Sequence, residues 1–303
     1  MISSKQIETI KLMNVGECLE NEPLYKHTTY KVGGPCALYI KVKDIESLQA
    51  LMTYIRDEKI PYFVIGNGSN LLFSDKMFEG IIVSLNECFK TISINGCEIT
   101  ADAGVSVIHL ANEACKCGLS GLEFAGGIPA SVGGAIYMNA GAYLSEFSNI
   151  VDKVTILDEH GAIKTLTSNE MNFSYRHSIL QEQPEWIVIN CQLHLASKDV
   201  NEIRALMDTR KEKRMATQPW SQPSAGSVFR NPEEMPAWKC IDMCNLRGKE
   251  IGGAQISPKH SNFIVNNGYA SAKDILDLIQ LAQKEVKEHL NIELHTEVRL
   301  INW

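Results

Sequence analysis

The chain has 303 residues, of which 45% are hydrophobic, and carries a formal net charge of −7 at pH 7. That length gives a large buried core and room for two or three domains. The acidic balance argues against a nucleic-acid partner, because proteins that bind phosphate backbones normally carry a basic domain.

Nothing in the sequence predicts a membrane segment or a secretion signal. The first fourteen residues lack the apolar core of a signal peptide, and no run of 18 apolar residues occurs. The nine cysteines are scattered without a Cys-x-x-Cys pair, so we interpret them as reduced thiols and expect no metal site. We therefore expect a cytoplasmic protein without membrane contact. We also expect a monomer, because no exposed apolar helix face or edge strand in the predicted structure indicates an interface between subunits.

The predicted secondary structure mixes strands and helices along the whole chain. In chain order, the pattern predicts a strand over residues 38–43, a helix over 44–59, strands over 62–65 and 81–85, a hairpin of 91–94 with 98–101, a helix over 106–117, a hairpin of 151–157 with 162–166, a strand over 186–195, helices over 199–215 and 236–246, a strand over 262–266, a helix over 271–290 and a strand over 293–303. Local signals include Asp44 as an N-cap, the Asn95-Gly96 turn and a capping-box spacing from Ser271. Up to residue 195 this order favours an α+β nucleotide-binding region.

A turn rich in glycine and asparagine follows the strand at residues 62–65. Its sequence is Gly66-Asn67-Gly68-Ser69-Asn70. Exposed amides and short polar side chains after an apolar strand suit a pyrophosphate. The turn is not a Walker loop, because no Gly-Lys-Ser/Thr follows, and Leu71 replaces the third glycine of the dinucleotide fingerprint. Neither ordinary nucleotide fold is therefore expected.

The stretch over residues 121–141 contains six of the 21 glycines of the chain, and no charged residue follows Glu123 in it. Such a composition does not fit a solvated linker. Glycines among alanine and serine let backbone amides approach a ligand and permit positive φ. The stretch predicts a loop against a phosphate or a flat ring, with a tight crossing of strands and turns in the core as the alternative.

Two features of the last third of the chain are candidates for ligand binding. The end of the helix at 199–215 is rich in cations, namely Arg204, Arg210, Lys211, Lys213 and Arg214. The helix dipole favours cations there in any protein, so they form either a solvated face or a clamp for a diphosphate. The following loop, 218–232, has three prolines that restrict it and Gly226 beside Ser227. It is a candidate for catalysis or binding, or a connector.

Four motifs occur together in this order. They are Thr28-Thr29-Tyr30-Lys31-Val32-Gly33-Gly34, Gly66-Asn67-Gly68-Ser69-Asn70, Tyr137-Met138-Asn139-Ala140-Gly141-Ala142 and Ala225-Gly226-Ser227-Val228-Phe229-Arg230-Asn231-Pro232. The combination resembles the UDP-N-acetylenolpyruvoylglucosamine reductase family. The match extends through Tyr175-Arg176, residues 251–255, Lys259-His260 and residues 297–299, and covers nearly the whole chain. The short connection between residues 186 and 199 resembles the type II branch, which lacks an extra tyrosine loop.

The resemblance implies an α+β protein with a two-subdomain FAD-binding fold of the vanillyl-alcohol-oxidase (PCMH) type and a C-terminal α+β substrate domain. FAD-binding subdomain 1 would cover residues 1–85, with the C-terminal strand at 292–303 returning to it. Subdomain 2 would cover residues 86–198. The substrate-binding domain would cover residues 199–291.

The activity that the resemblance implies is the NADPH-dependent reduction of UDP-N-acetylglucosamine-enolpyruvate to UDP-N-acetylmuramate in peptidoglycan precursor synthesis. Non-covalently bound FAD would deliver a hydride from its N5 atom in a ping-pong cycle, and Ser227 would donate the proton. Arg176 presents a planar fork suited to the substrate carboxylate, on which negative charge develops. Glu297 would stabilise the intermediate.

The resemblance also assigns binding residues. Those expected at FAD are Tyr30, Gly33, Gly66, Asn67, Gly68, Ser69, Asn70, Gly126, Gly127, Ile128, Pro129, Ser131, Gly133, Gly134, Asn139 and Gly141. Those expected at the UDP-sugar are Lys213, Arg214, Asn231 and Gln255. No metal is expected.

Two alternatives and three departures from the family stay open at this point. An FAD-dependent oxidase of the same fold with another substrate would often attach its flavin through His27 or Cys36, and a non-catalytic nucleotide-binding regulator would tolerate loss of Ser227. Leu144-Ser145 stands where the family commonly places glycine, and Ser261-Asn262 stands where Ala-Gly is frequent, so we expect changes in local loop shape. Cys36 is also unusual, and we have no functional account of it.

Overall fold

The computed structural model describes residues 1–303. The predicted elements occur in the predicted order, together with others that were not predicted, such as the helix Ser4–Leu12 and the strand Gly16–Pro23. The helices are α1 (Ser4–Leu12), α2 (Ile45–Asp57), α3 (Val107–Lys116), α4 (Val132–Tyr137), α5 (Val200–Thr217), α6 (Ala237–Met243) and α7 (Ala272–Leu290). The strands are β1 (Gly16–Pro23), β2 (Pro35–Val42), β3 (Tyr62–Ile65), β4 (Leu71–Phe73), β5 (Phe78–Ser84), β6 (Ile92–Asn95), β7 (Glu98–Asp102), β8 (Leu119–Ser120), β9 (Gly141–Ala142), β10 (Ser145–Glu146), β11 (Val151–Leu157), β12 (Ile163–Thr167), β13 (Ile187–His194), β14 (Ala196–Ser197), β15 (Glu250–Ile251), β16 (Ala254–Ile256), β17 (Ile264–Asn266) and β18 (Arg299–Ile301).

The chain forms two compact units. Unit 1 comprises residues 1–20, 37–67 and 79–212, and unit 2 comprises residues 21–36, 68–78 and 213–303. The predicted boundaries at residues 85, 198 and 291 do not coincide with this division, since residues 21–36 and 68–78 of predicted subdomain 1 belong to unit 2. These boundaries stay a prediction.

Two sheets form the framework of unit 1. The five-stranded sheet has the order β12-β11-β13-β7-β6 and is antiparallel throughout. This pairing confirms both predicted hairpins. The other sheet, of order β1-β2-β5-β3, lies mainly in unit 1, and β3 runs parallel to β5. Helix α2 begins at its predicted N-cap, Asp44, and buries its apolar stripe in the same core as these sheets.

Unit 2 has a separate core around the longest helix. Six side chains of α7 are buried there, and the capping box predicted at Ser271 is present with Asp274 as its partner. The strands β15, β16 and β17 form an antiparallel sheet that α7 contacts. Strand β18 pairs in parallel with β4.

The C-terminal strand is shorter than the predicted 293–303. Only residues 299–301 form a strand, and a single bridge joins Thr296 to Phe229. The alternating pattern over residues 293–298 therefore reflects pairing with an irregular loop rather than membership of a sheet.

Two sequence expectations concern the whole chain. All nine cysteines are free thiols, as predicted. No helix is both long enough and apolar enough to cross a membrane.

Candidate active site

The Gly66–Asn70 turn contacts the glycine-dense stretch within unit 1. Asn67 Nδ2 donates to the Pro129 carbonyl at 3.2 Å, and Asn67 Oδ1 accepts from Asn86 Nδ2 at 3.0 Å. A methyl group on Gly66 would lie 2.2 Å from Ser131 Oγ. Two loops that the sequence assigns to FAD therefore lie against each other, and the absence of a Cβ at Gly66 makes that approach possible.

The second half of the turn packs on the Thr28–Gly34 motif within unit 2. The Thr29 N–H donates to the Gly68 carbonyl at 3.2 Å. Gly68 has φ +61°, and a Cβ there would lie 2.0 Å from the His27 carbonyl oxygen. Only glycine fits both the backbone conformation and this spacing.

Two hydroxyl groups on this motif test whether the residues suit a flavin nucleotide. The Thr29 Oγ1 and Tyr30 hydroxyl atoms are buried, and neither has a hydrogen-bond partner in the protein. Burial also raises the pKa of the Tyr30 phenol, so the group stays a neutral donor. Because a buried polar atom without a partner is costly, a polar ligand group is expected to complete both. These residues therefore fit a ligand with polar groups, as the ribityl and pyrophosphate parts of FAD have.

The glycine-dense stretch contains a helix that the sequence did not predict. Ser131 Oγ caps α4 by accepting from the Gly134 N–H at 3.3 Å. A Cβ on Gly133 would lie 3.1 Å from the Ala103 side chain, so close packing explains this glycine. Contacts of Ser131, Gly133 and Gly134 with a cofactor stay predictions, as do those of Gly33, Ser69, Gly126, Gly127 and Ile128.

Asn139 and Gly141 support the loop that carries Arg176. Asn139 is fully buried, and its Nδ2 donates to the Ser174 carbonyl at 2.9 Å. Its Oδ1 accepts from the Ser148 N–H, also at 2.9 Å. The Gly141 carbonyl accepts from the Arg176 guanidinium at 2.9 Å. The side chain of Asn139 is therefore engaged by the protein, and any cofactor contact of this segment would use its backbone.

Arg176 occupies a strained position at the tip of a tight turn. Ser174 and His177 pair through both main-chain hydrogen bonds, and Arg176 between them has φ +57°. The guanidinium carbon lies 5.0 Å from the centre of the Tyr175 ring. A long side chain is uncommon at positive φ, and such strain clusters at functional sites. Arg176 shares this conformation with other non-glycine residues, among them Lys31 and Lys59, so the strain is consistent with a functional role but does not by itself identify one.

The departure at Leu144 also lies at positive φ. Tyr143 and Leu144 form the two-residue loop between β9 and β10, with φ values of +55° and +60°. This is the turn in which glycine is normally preferred. The Tyr143 hydroxyl donates to the Arg210 carbonyl at 2.8 Å, whereas Leu144 is fully exposed. The loop thus keeps a hairpin shape despite the departure, at the cost of backbone strain.

We expect Leu144→Gly to stabilise the protein by about 0.5–1 kcal/mol, because relief of positive-φ strain exceeds the entropy that glycine adds to the unfolded chain. Urea unfolding monitored by circular dichroism measures the change. Leu144→Ala is the matched control, since it removes the exposed side chain but keeps the strained backbone. An equal gain in both variants would show that apolar exposure, not backbone conformation, is responsible.

Ser227 lies in a loop that is bonded to the segment containing Glu297. The Glu297 N–H donates to the Val228 carbonyl at 2.8 Å, and the Arg230 N–H donates to the His295 carbonyl at 2.9 Å. Ser227 and Glu297 are both half-buried. The structure therefore brings two of the three predicted catalytic residues to adjoining segments of unit 2.

Asn70 connects the predicted pyrophosphate turn to Glu297. Its Nδ2 donates to the Glu297 carbonyl at 3.0 Å, and its own carbonyl accepts from the Arg299 N–H at 3.0 Å. The amide side chain of Asn70 thus holds the Glu297 carbonyl, while the serine loop holds the Glu297 N–H. Asn70 was predicted to bind FAD, and no sequence pattern indicates its contact with Glu297.

The predicted substrate residues are distributed over unit 2. Arg214 Nε donates to Gln218 at 3.2 Å, and its guanidinium carbon lies 5.9 Å from the centre of the Trp220 ring. Asn231 Oδ1 accepts from the Ala237 N–H at 3.0 Å at the start of α6. Gln255 Nε2 donates to the Gly248 carbonyl at 3.2 Å, and Lys213 is exposed. Their contacts with a substrate stay predictions.

The motif Lys259-His260 precedes a buried segment that packs near the serine loop. The His260 ring lies edge-on to Phe263, with ring centres 4.9 Å apart, and its Nδ1 accepts from the Asn262 N–H at 3.3 Å. Burial lowers the pKa of His260, and the nearby Arg247 cation lowers it further, whereas Asp242 acts in the opposite direction. The folded protein therefore holds this imidazole in its neutral form.

This lowered pKa predicts a pH-dependent stability. When the pKa of a base is lower in the folded state, its contribution to the free energy of unfolding is complete above the pKa of the unfolded state, near 6.5. That contribution is lost as the pH falls below this value. We expect the free energy of unfolding, measured by urea titration, to fall between pH 7.5 and pH 5.5. The fall should be less than the limit of about 1.4 kcal/mol per pH unit for one group. His260→Gln should show a smaller fall, while His194→Gln, at an exposed site, should behave like the wild type. Equal pH dependence in all three proteins would contradict the assignment.

The two residues considered for covalent flavin attachment are poorly placed for it. Cys36 is fully buried in β2, and burial raises the pKa of its thiol to about 12, which suppresses the reactive thiolate. His27 Nε2 lies 3.0 Å from the Glu22 carboxylate. Neither observation favours the covalent oxidase alternative.

Comparison with known proteins places the same segments in known families. Residues 36–167 match a family model described as FAD binding domain, and residues 218–301 match one described as UDP-N-acetylenolpyruvoylglucosamine reductase, C-terminal domain. The reductase of that name from Bacillus pumilus is 48% identical over 95% of both chains, and that from Bacillus subtilis is 44% identical over 98% of both. The crystal structure of the Thermus caldophilus reductase aligns with a TM-score of 0.80 at 36% identity, covering 94% of this chain and 98% of that one.

Proposed function

Because the chain belongs to the UDP-N-acetylenolpyruvoylglucosamine reductase family, we propose that it reduces the enolpyruvyl group of UDP-N-acetylglucosamine-enolpyruvate with electrons from NADPH and a proton from Ser227. The protein is an FAD-dependent oxidoreductase, a UDP-N-acetylmuramate dehydrogenase of peptidoglycan precursor synthesis. The observation that carries the assignment of roles is the hydrogen bond from the Glu297 N–H to the Val228 carbonyl at 2.8 Å, which fixes the backbone of Glu297 against the residue after Ser227.

The FAD site would be formed by the motifs that the sequence assigned to it. Thr29 and Tyr30 have buried hydroxyls that need polar partners. The Gly66–Asn70 turn is adjacent to them, since the Gly68 carbonyl accepts from the Thr29 N–H. FAD bound there would supply the hydride for one carbon of the substrate double bond, with NADPH as the source of the electrons. The backbone amides of the turn would hold its pyrophosphate.

Each catalytic residue has a role that follows from the charge changes of the reaction. Hydride addition places negative charge on the carbon next to the carboxylate, and Arg176 would hold that carboxylate through its planar fork. Ser227 then transfers its hydroxyl proton to the carbanionic carbon, and the hydroxyl recovers a proton from solvent. Glu297 would stabilise the intermediate. Lys213, Arg214, Asn231 and Gln255 would contact the UDP-sugar.

Other parts of the proposal concern context. A cytoplasmic monomer is proposed, and nine free thiols suit the reducing compartment in which NADPH and nucleotide sugars occur. We assign the chain to the type II branch, because β14 and α5 follow β13 within a few residues and leave no space for an added loop. No nucleic-acid or membrane partner is proposed.

An anaerobic spectrum of the purified holoenzyme tests the proposed reaction. NADPH should bleach the flavin absorbance, and UDP-N-acetylglucosamine-enolpyruvate should restore it without oxygen. Recovery only on admission of air would favour the oxidase alternative. Failure of the protein to bind FAD would contradict both enzymatic functions.

A further inference from the structure

The backbone immediately before Ser227 gives it little restraint. Gly226 has φ +74°, and a Cβ placed on it would meet no atom within 4 Å. A glycine in open space leaves its neighbour conformationally free. Contacts of the residues that follow Ser227 are therefore important for the position of its hydroxyl.

Asn262 makes three hydrogen bonds to the two residues that follow Ser227. Its main-chain carbonyl accepts from the Val228 N–H at 2.8 Å. Its side chain accepts from the Phe229 N–H at 2.9 Å through Oδ1 and donates to the Phe229 carbonyl at 2.8 Å through Nδ2. The carboxamide thus satisfies both polar groups of one residue, as a neighbouring strand would.

The hydrogen bonds between Asn262 and Phe229 are buried, so their loss would be costly. Asn262 is 4% exposed and Phe229 is 2% exposed. The segment 295–297 forms main-chain hydrogen bonds with Val228 and Arg230. The main-chain N–H and carbonyl of Phe229, which lies between them, bond to the Asn262 side chain instead. Without the carboxamide, two buried main-chain groups lose their protein partners, and the loop must shift to reach others or water.

We infer that Asn262 is a positioning residue for the reduction: its carboxamide fixes Phe229 and, through it, holds the Ser227 hydroxyl in place. The inference rests on the proposed role of Ser227 as proton donor. Misplacing a reacting group by 1 Å can cost about a hundredfold in rate, and the main-chain bond to Val228 survives loss of the side chain, so we expect about a tenfold loss.

Anaerobic stopped-flow measurements on the holoenzyme separate this role from a purely structural one. For Asn262→Ala, flavin reduction by NADPH should be unchanged, and reoxidation by the enolpyruvyl substrate should be about tenfold slower. The double variant Ser227→Ala/Asn262→Ala should reoxidise no more slowly than Ser227→Ala, because the two residues act through one hydroxyl. Asn262→Gln, which keeps the carboxamide but displaces it by one methylene, serves as the second variant if the alanine protein does not fold, and it should likewise slow reoxidation while leaving flavin reduction unchanged.

Ser257→Ala is the matched control. Ser257 is fully buried, and its Oγ accepts from the Lys259 and His260 amides at 3.2 and 3.4 Å, so its loss loosens the same segment without touching Phe229. It should lower the urea midpoint and leave reoxidation at the wild-type rate. Wild-type reoxidation in folded Asn262→Ala, alongside slow Ser227→Ala, would overturn the inference alone. Normal reoxidation in Ser227→Ala would overturn the proposed proton donor and the inference with it.

Discussion

Replacing Ser227 with alanine is expected to leave the flavin bound and reducible by NADPH, while slowing its reoxidation by the enolpyruvyl substrate by roughly 10³-fold. Proton transfer to carbon needs an acid at one position, and the geometry offers this hydroxyl on a loop bonded from both sides. Hydride transfer from NADPH does not need that proton. Anaerobic stopped-flow absorbance measures both half-reactions on the same sample.

The same loop provides the control for this experiment. Ser221 is exposed between two prolines of the loop, so Ser221→Ala changes a hydroxyl without changing the segment beside Glu297. It should behave like the wild type in both half-reactions. If Ser227→Ala also reoxidises at the wild-type rate, another group supplies the proton, and the alternative of a site tolerant of Ser227 loss gains support.

Elements with strong local patterns could be predicted from the sequence. Helix α2 begins at Asp44 and α7 at Ser271 as predicted, because an N-cap side chain and an apolar stripe are encoded within a few residues. The hairpin at Asn95-Gly96 formed for the same reason. Local chemistry was sufficient wherever the partner groups lie close in sequence.

Elements that depend on distant groups could not be predicted. Helix α4 has two glycines in six residues, which disfavours a helix locally, and it forms where Gly133 packs closely on Ala103. Of the strand predicted over residues 293–303, the part before residue 299 is instead an irregular pairing with the serine loop. In the site, the contact of Asn70 with Glu297 spans 227 residues, so no local pattern marks it.

Substituting Arg176 with lysine is expected to lower kcat/KM for the enolpyruvyl substrate by about 10²–10³-fold, because lysine keeps the charge but loses the fork that holds a carboxylate at two points. Flavin reduction by NADPH should change little. Arg56→Lys is the control, since Arg56 also donates to a main-chain carbonyl, that of Glu185, at 2.9 Å. A comparable loss of activity in both variants would attribute the effect to general loosening of unit 1.

The backbone of Arg176 allows the cost of its position to be measured separately. Arg176→Gly and Arg176→Ala both lose the bond to Gly141 and the contact with the Tyr175 ring, but only the glycine variant relieves the strain at φ +57°. The glycine variant should therefore be about 0.5–1 kcal/mol more stable than the alanine variant in urea unfolding, although both are catalytically impaired. Such a result would mean that the fold tolerates an unfavourable backbone conformation because the guanidinium is needed there. Equal stability would show that the turn imposes no strain, and the conformation could then not be taken as a mark of function.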